Sequence, residues 1–292
     1  MPLAEFSLID RFFAAHAMRR ADVALGIGDD AAVVDVPAGE QLIVAVDTLV
    51  AGVHFPDSAT AADIGHKALE FARGFFALAE RFQVELIGGD TTRGPLCVSV
   101  QILGTLPRGR SMLRTGVRVG DHVFVSGNLG DAGLALRLLQ TQGSCADDVR
   151  TAVDARLHRP EPRVALGERL RSLASAAIDV SDGLLADLGH ILERSGVGAM
   201  VWVDRLPRST AFQSCVSPQT PEWFELPLAA GDDYEICFTA APEQTAALQT
   251  LARELDVPIT AVGVIEAEPG LRCCTDDGRD FQPTRRGSEP FD

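Results

Sequence analysis

Lysine is almost missing from this 292-residue chain: Lys67 stands alone, and the other 25 basic residues are arginines. A Walker A loop needs a Gly-Lys pair followed by Ser or Thr, and no such triplet occurs, so any nucleotide chemistry must use another scaffold. The six cysteines, Cys97, Cys145, Cys215, Cys237, Cys273 and Cys274, form no C-x-x-C pair. Adjacent Cys273 and Cys274 suit neither zinc nor a disulfide. Cys97 and Cys237 lie in apolar runs and read as small buried hydrophobes of a reduced, cytoplasmic protein. The opening stretch MPLAEFSLIDRFF carries Glu5 and Asp10 and lacks a basic start and an apolar core, which excludes a signal-peptide reading. The longest uncharged apolar-rich stretch, Gly94 to Pro107, is too short and too polar to span a bilayer. There is no G-x-S-x-G elbow, no arguable Ser-His-Asp set, no short-period repeat and no low-complexity tract.

What is abundant is acid. The formal net charge is −15, a field that repels nucleic-acid backbones and anionic membranes. An anionic substrate would need metal ions to screen it. Apolar residues make up 46% of the chain, enough for a sizeable core, and the length suits one large domain or two ordinary ones.

Periodicity predicts a helix over residues 4–20, with Phe6, Ile9, Phe13 and Ala17 on one side. A strand–turn is predicted at Val23–Asp30 and strands at Ala31–Val36, Gln41–Val46, Val84–Ile87 and Leu96–Leu106, with a helix over 61–83. The polar, Gly- and Arg-rich stretch from Pro107 to Gly120 marks a domain boundary, giving domains 1–110 and 111–292. The second is expected to contain strand His122–Ser126, helix Ala132–Gln140, a loop over 141–150, strand Ala176–Val180, helix Leu184–Ser195 and strand Met200–Val203. Strand Tyr234–Thr239, helix Pro242–Leu255 and strand Ile259–Val264 complete it. The fold class is α/β (α+β) with mixed sheets.

Aspartates stand where apolar runs meet glycines or turn formers at Asp29–Asp30, Asp47, Asp90 and Asp179 with Asp182, a pattern that suits hard cations gathered around phosphate. GIGDD places Asp29 and Asp30 after a glycine turn, as a magnesium ligand or as a solvated Asp-Asp turn. Asp47 follows LIVAV, where a buried strand would otherwise continue; an ionised carboxylate there needs a cation or amide partners. GGDTTRGP is the richest local signal. Gly88 and Gly89 permit close backbone approach, Asp90 offers a hard oxygen, Thr91 and Thr92 hydroxyls, and Arg93 a fork for phosphate. The alternative is a polar hairpin loop closed by Pro95. SGNLGD (Ser126–Asp131) opens a helix whose N–H groups can take phosphate, though such turns are common. IDVSDG puts Asp179, Ser181 and Asp182 at a strand-to-helix turn, where Ser181 or Asp182 can also serve as an N-cap. AGDDYE is a further acidic turn entering a strand. His54 lies between apolar residues and suits a core position as well as a contact. His66, His122, His158 and His190 show no metal-ligand spacing.

Taken in order, EFSLIDRFF, LGIGDDAAV, VDTLVAGVHF, LIGGDTTRGP, LRTGVRVGD, AIDVSDGLLADLGHI and GDDYEICFT resemble the thiamine-monophosphate kinase family. That family shares a superfamily with aminoimidazole ribonucleotide synthetase and selenophosphate synthetase. The resemblance runs from residue 5 to about residue 239. It implies two domains, an N-terminal ATP- and metal-binding domain that forms a homodimer and a C-terminal α+β domain over the site. It implies ATP-dependent phosphorylation of thiamine monophosphate to thiamine diphosphate, with Mg2+ as cofactor. Residue by residue, it implies Asp30, Asp47, Asp90, Asp179 and Asp182 as metal ligands. Arg114, Ser181, Gly89 and Thr91 would contact ATP, and His54 and Asp232 the thiamine substrate. No catalytic side chain beyond the metal ligands is implied. The acceptor is a phosphate oxygen already deprotonated at neutral pH, so charge neutralisation and in-line alignment matter more than a strong base.

The chain departs from the family pattern after Leu69. On the order of thirty residues, including a metal-binding aspartate and a strand, are missing by family spacing. Either an internal segment is absent from this sequence, or the deletion is real and the protein is an impaired paralogue. Ala45 and Val46 replace hydroxyl residues common before the Asp-Thr pair. Ser288 stands where the family places an aromatic, with Phe291 retained. Two other readings remain open: a related ATP-dependent enzyme with another acceptor, and a non-catalytic nucleotide- or thiamine-phosphate-binding protein.

Overall fold

Alternation decides the layers of the C-terminal half. In β5 (His122–Ser126), Val123 and Val125 enter one core and Phe124 the other, as a strand covered on both faces requires. The coordinates are a computed structural model that describes residues 21–25, 33–50, 79–89, 97–285 and 287. The chain divides into two compact units, Met1–Ser111 and Met112–Asp292.

In the first unit, β1 (Val23–Leu25) pairs with β2 (Val33–Val34). Strands β3 (Glu40–Val50) and β4 (Cys97–Pro107) form an eleven-residue antiparallel ribbon, in register from Glu40 opposite Pro107 to Val50 opposite Cys97. Three sequence expectations fail here. The apolar run before Asp47 is not buried: Leu42, Ile43 and Val44 are each at least 40% exposed, and Val46 is 64% exposed. Nor does the strand end at Asp47, which pairs with Val100 inside the ribbon. β-rich apolar residues favoured the strand but could not report what covers it. Residues 84–89 form no strand, against the expectation for Val84–Ile87, and the expected helix over 61–83 is described only from residue 79, with 79–81 helical. The expected helix over 4–20 and the segment after Leu69 lie outside the described residues.

The second unit is built on a seven-stranded sheet of order β11-β10-β7-β9-β5-β8-β6. Its further strands are β6 (Ala176–Val180), β7 (Gly198–Trp202), β8 (Glu235–Ala240), β9 (Ile259–Glu266), β10 (Gly270–Cys274) and β11 (Asp280–Phe281). All neighbours are antiparallel except β10 and β7, so the sheet is mixed. Helices α1 (Asp131–Thr141), α2 (Asp147–His158), α3 (Val164–Leu170), α4 (Leu184–Ser195), α5 (Thr210–Cys215), α6 (Glu222–Ala229) and α7 (Thr245–Leu255) surround it. On one face α4 lays Leu184, Leu185, Leu188, Ile191 and Leu192 against Ile178, Val180 and Val201. These five leucine and isoleucine positions recur at three- and four-residue steps, the stripe of a helix with one buried side. On the other face α3 and α7 bury Leu166, Leu170, Leu248 and Leu251 around the stacked rings of Phe124 and Phe238, 5.3 Å apart. A satellite core gathers α1, α2 and α5 around Phe212. Cys237 is fully buried, as its apolar run suggests. Among the described residues, no helix is long and apolar enough to cross a membrane.

Candidate functional site

The edge strand β6 carries the site. It ends at Val180, and the chain passes through Ser181, Asp182 and Gly183 before α4 begins. The register sets Asp179 opposite Ile236 and Val180 opposite Glu235. Where the ladder stops, the AGDDYE turn takes over. The Asp232 N–H donates to the Ser181 carbonyl at 2.9 Å, and the Tyr234 N–H to the Val180 carbonyl at 2.8 Å. The two acidic turns are therefore stitched together through the backbone. Their closeness demands glycine: a Cβ on Gly231 would meet the Ser181 oxygen at 2.3 Å, and one on Gly183, at φ +115°, the Ala229 carbonyl group at about 3 Å. Asp232 and Tyr234 hold positive φ angles, 65° and 48°, without being glycine. Such strain persists only where surrounding contacts fix the chain.

Those contacts lie beneath the turn. Glu235 is fully buried. Its Oε1 accepts from Arg156 at 2.7 Å and from Arg163 Nη2 at 2.5 Å; its Oε2 accepts from Arg163 Nε at 2.7 Å and Ser126 Oγ at 2.6 Å. Ser126 Oγ in turn accepts the Ile236 N–H at 2.8 Å, and Arg156 also reaches the Asp233 carbonyl at 3.1 Å. Arg163 is raised above its ordinary pKa, chiefly by its hydrogen bond to Glu235. Asp233 Oδ2 accepts the Gly130 N–H at 2.8 Å, while Oδ1 is buried without a partner. The SGNLGD turn, whose N–H groups suggested a phosphate site, is thus engaged internally by Asp233 and Glu235.

Burial pushes Asp233 up to about 8, opposed by the Gly130 hydrogen bond and aided by the nearby Asp131 charge. Between an ordinary carboxylate pKa near 4 and about 8, the folded protein holds a proton that the unfolded chain has released. Stability therefore falls as pH rises through that window. Between about pH 6.5 and 8 one such group lowers stability by at most about 1.4 kcal/mol per pH unit. Urea unfolding of the wild type should show this decline, and Asp233→Asn, neutral throughout, should lack it. Equal declines in both proteins would show that Asp233 is ionised in the fold.

A second buried carboxylate serves the other turn. Asp187, 2% exposed on α4, accepts three backbone N–H groups on its Oδ2: Ser181 at 3.0 Å, Asp182 at 3.0 Å and Gly183 at 3.1 Å. Burial first, then the charges of Asp182 and Asp179, raise it to about 6 against the hydrogen bonds that lower it. Neither Ser181 nor Asp182 caps the helix; Gly183 occupies that position and makes no side-chain cap. Asp187 escaped the sequence reading because a polar residue four positions into an amphipathic helix looks like a solvated face. Its only signal was its spacing, five residues after Asp182.

Of the candidate residues, the structure brings together Asp179, Ser181, Asp182 and Asp232. Arg114 is exposed near the start of the same strand, where the neighbouring Leu113 carbonyl accepts the Ala177 N–H. Asp47 is placed by its backbone alone, and Gly89 is exposed outside any regular element. Asp30, His54, Asp90 and Thr91 lie outside the described residues, as do Ser288 and Phe291. Among the described residues, no three acidic, histidine or cysteine side chains form a metal-holding group. The carboxylates of Asp179 and Asp182 at one rim, adding their repulsion to Asp187, nonetheless suit a hard divalent cation.

The family profile for the AIR synthase related protein, C-terminal domain, matches residues 118–274, and that for the N-terminal domain matches residues 28–72. The chain is 38% identical to the thiamine-monophosphate kinase of Salmonella typhimurium, over 92% of each chain. The chain belongs to the thiamine-monophosphate kinase family. Membership makes it a kinase of the AIR synthase superfamily, as the ordered motifs implied. The crystal structure of the thiamine-monophosphate kinase from Stenotrophomonas maltophilia K279a is 42% identical to it and superimposes with a TM-score of 0.82, covering 96% of this chain and 98% of that one. The Escherichia coli K12 kinase is 37% identical over 325 positions, taking in 100% of this chain and 99% of its own length. Those 325 positions exceed the 292 residues present by 33. The 292-residue sequence therefore falls short of that alignment by a number close to the thirty residues expected from family spacing.

Proposed function

We propose that this chain transfers the γ-phosphoryl group of ATP to thiamine monophosphate, giving thiamine diphosphate, with Mg2+ as cofactor, as a cytoplasmic homodimer. The observation that carries the reading is the full-length identity to thiamine-monophosphate kinases together with the stitched pair of acidic turns. Asp179 and Asp182, with Asp30, Asp47 and Asp90, would hold the metal. Bound there, a divalent cation supplies charge screening and alignment for two anionic phosphates. Ser181, Gly89, Thr91 and Arg114 would contact ATP. Because the Ser181 N–H is engaged by Asp187 and its carbonyl by Asp232, Ser181 has its hydroxyl to offer. His54 and Asp232 would contact the thiamine moiety, with Asp232 aimed by its positive φ and its bond to Ser181. The acceptor oxygen needs no base, in keeping with a rim of carboxylates. The exposed apolar residues of β3 and β4, Leu42, Ile43, Val44, Val46 and Ile102, support the homodimer, since a second copy would bury such a patch.

Purified protein given ATP, Mg2+ and thiamine monophosphate is expected to form thiamine diphosphate at a steady rate. The metal-binding aspartate missing from the sequence after Leu69 motivates a second reading, a non-catalytic binder. Binding of both ligands by calorimetry without product would favour it, and ATP turnover with another acceptor alone would favour a sister enzyme. An intact mass above that of the 292-residue sequence would show an internal segment missing from the sequence rather than from the protein.

A further inference from the structure

We propose that Asp187 is a positioning residue for phosphoryl transfer, an internal hydrogen-bond acceptor that locks the Ser181–Gly183 turn so that Asp182 and Ser181 face their ligands; this rests on the reading above. Three consecutive peptide N–H groups converge on one oxygen of a side chain 2% exposed. Fixing three successive peptide planes leaves the turn almost no backbone freedom. The opposite side is held by the Asp232 and Tyr234 N–H groups on the Ser181 and Val180 carbonyls. Gly183 has no side chain with which to brace the turn, and the adjacent Ala229 backbone admits none. The N–H groups before a helix ordinarily attract ligand phosphate. Here a carboxylate of the chain itself already occupies them. At this turn the three N–H groups are therefore closed to ligand phosphate, and Asp187 contributes by fixing the Ser181 and Asp182 side chains in place.

The test compares Asp187→Asn, which keeps an oxygen acceptor, with Asp187→Ala, which does not. Hydrogen exchange at the Ser181, Asp182 and Gly183 amides reads the lock without substrate, and the Mg2+ concentration for half-maximal activity reads its consequence. In the alanine variant those amides should exchange about tenfold faster or more, while amides of β8 stay protected. Its Mg2+ requirement should rise by about tenfold, more than maximal turnover falls, because the ligands are misplaced rather than removed. The asparagine variant should stay within about threefold of wild type on both counts. Unchanged exchange and Mg2+ requirement in the alanine variant would overturn the proposal, as would a folded asparagine variant as impaired as alanine. If the alanine variant does not fold, Asp187→Glu decides, since its extra methylene displaces the oxygen while keeping the charge. It should raise the Mg2+ requirement, and wild-type behaviour would overturn the proposal. A wild-type protein that makes no thiamine diphosphate would defeat the functional reading while the amide-exchange comparison still reads the lock.

Discussion

Asp182→Asn is expected to lower turnover on the order of a thousandfold while leaving thermal stability equal to wild type or slightly higher. The two effects have opposite signs for one reason. Asp182 stands beside two other carboxylates, and its charge is among the causes that push the Asp187 pKa up. Three like charges at one rim are unfavourable in the free protein, and a neutral amide removes one of them at nearly constant shape. A group that the fold holds against repulsion, but that phosphoryl transfer needs, belongs to the site rather than to the scaffold. Steady-state kinetics and thermal melts on the same preparations settle the point. Full activity with a melting point several degrees lower would make Asp182 a structural residue and remove it from the metal set.

The opposite signature is expected at Glu235. Replacement by alanine should destabilise the second unit by about 3–5 kcal/mol, because it takes the shared partner from two arginines at once. Arg156 and Arg163 are mostly buried, and together they place three hydrogen bonds on this carboxylate. Left without it, they retain most of the desolvation and lose the compensation. Glutamine should be milder, since an oxygen at the Oε1 position still accepts from both arginines, though its amide group then faces Arg163 Nε. Urea unfolding measures both variants. An alanine variant within about 1 kcal/mol of wild type would mean that the arginines find other partners and that the strained turn above them is held by something else. The loss should also reach the site, since Arg156 holds the Asp233 carbonyl between the left-handed Asp232 and Tyr234.

These expectations separate what local sequence could tell from what it could not. IDVSDG was legible as a strand-to-helix turn because an apolar β-branched run stops at glycine and an amphipathic stripe begins. β6 ends and α4 starts on either side of Ser181–Gly183. AGDDYE was legible as a turn for similar reasons. The carboxylate network was not. Glu235 meets Arg163 and Arg156 across 72 and 79 residues of sequence, and no periodicity encodes such a pairing. Asp187 was hidden in plain helical spacing. The start of α2 at Asp147, inside a stretch read as loop, and the short strands β10 and β11 were missed because charged residues dilute their patterns. The run before Asp47 misled in the other direction, since composition fixes a strand's preference for cover but not whether cover is present.

The tight approach of Gly231 to Ser181 has a practical corollary for anyone seeking to retarget such an enzyme. A library randomised across the whole Ala230–Glu235 loop would be swamped by misfolded members, because any methyl at Gly231 collides with the neighbouring peptide oxygen. Diversity placed at Asp232, while Gly231 and Glu235 stay constant, tests the substrate contact proposed there without introducing that collision.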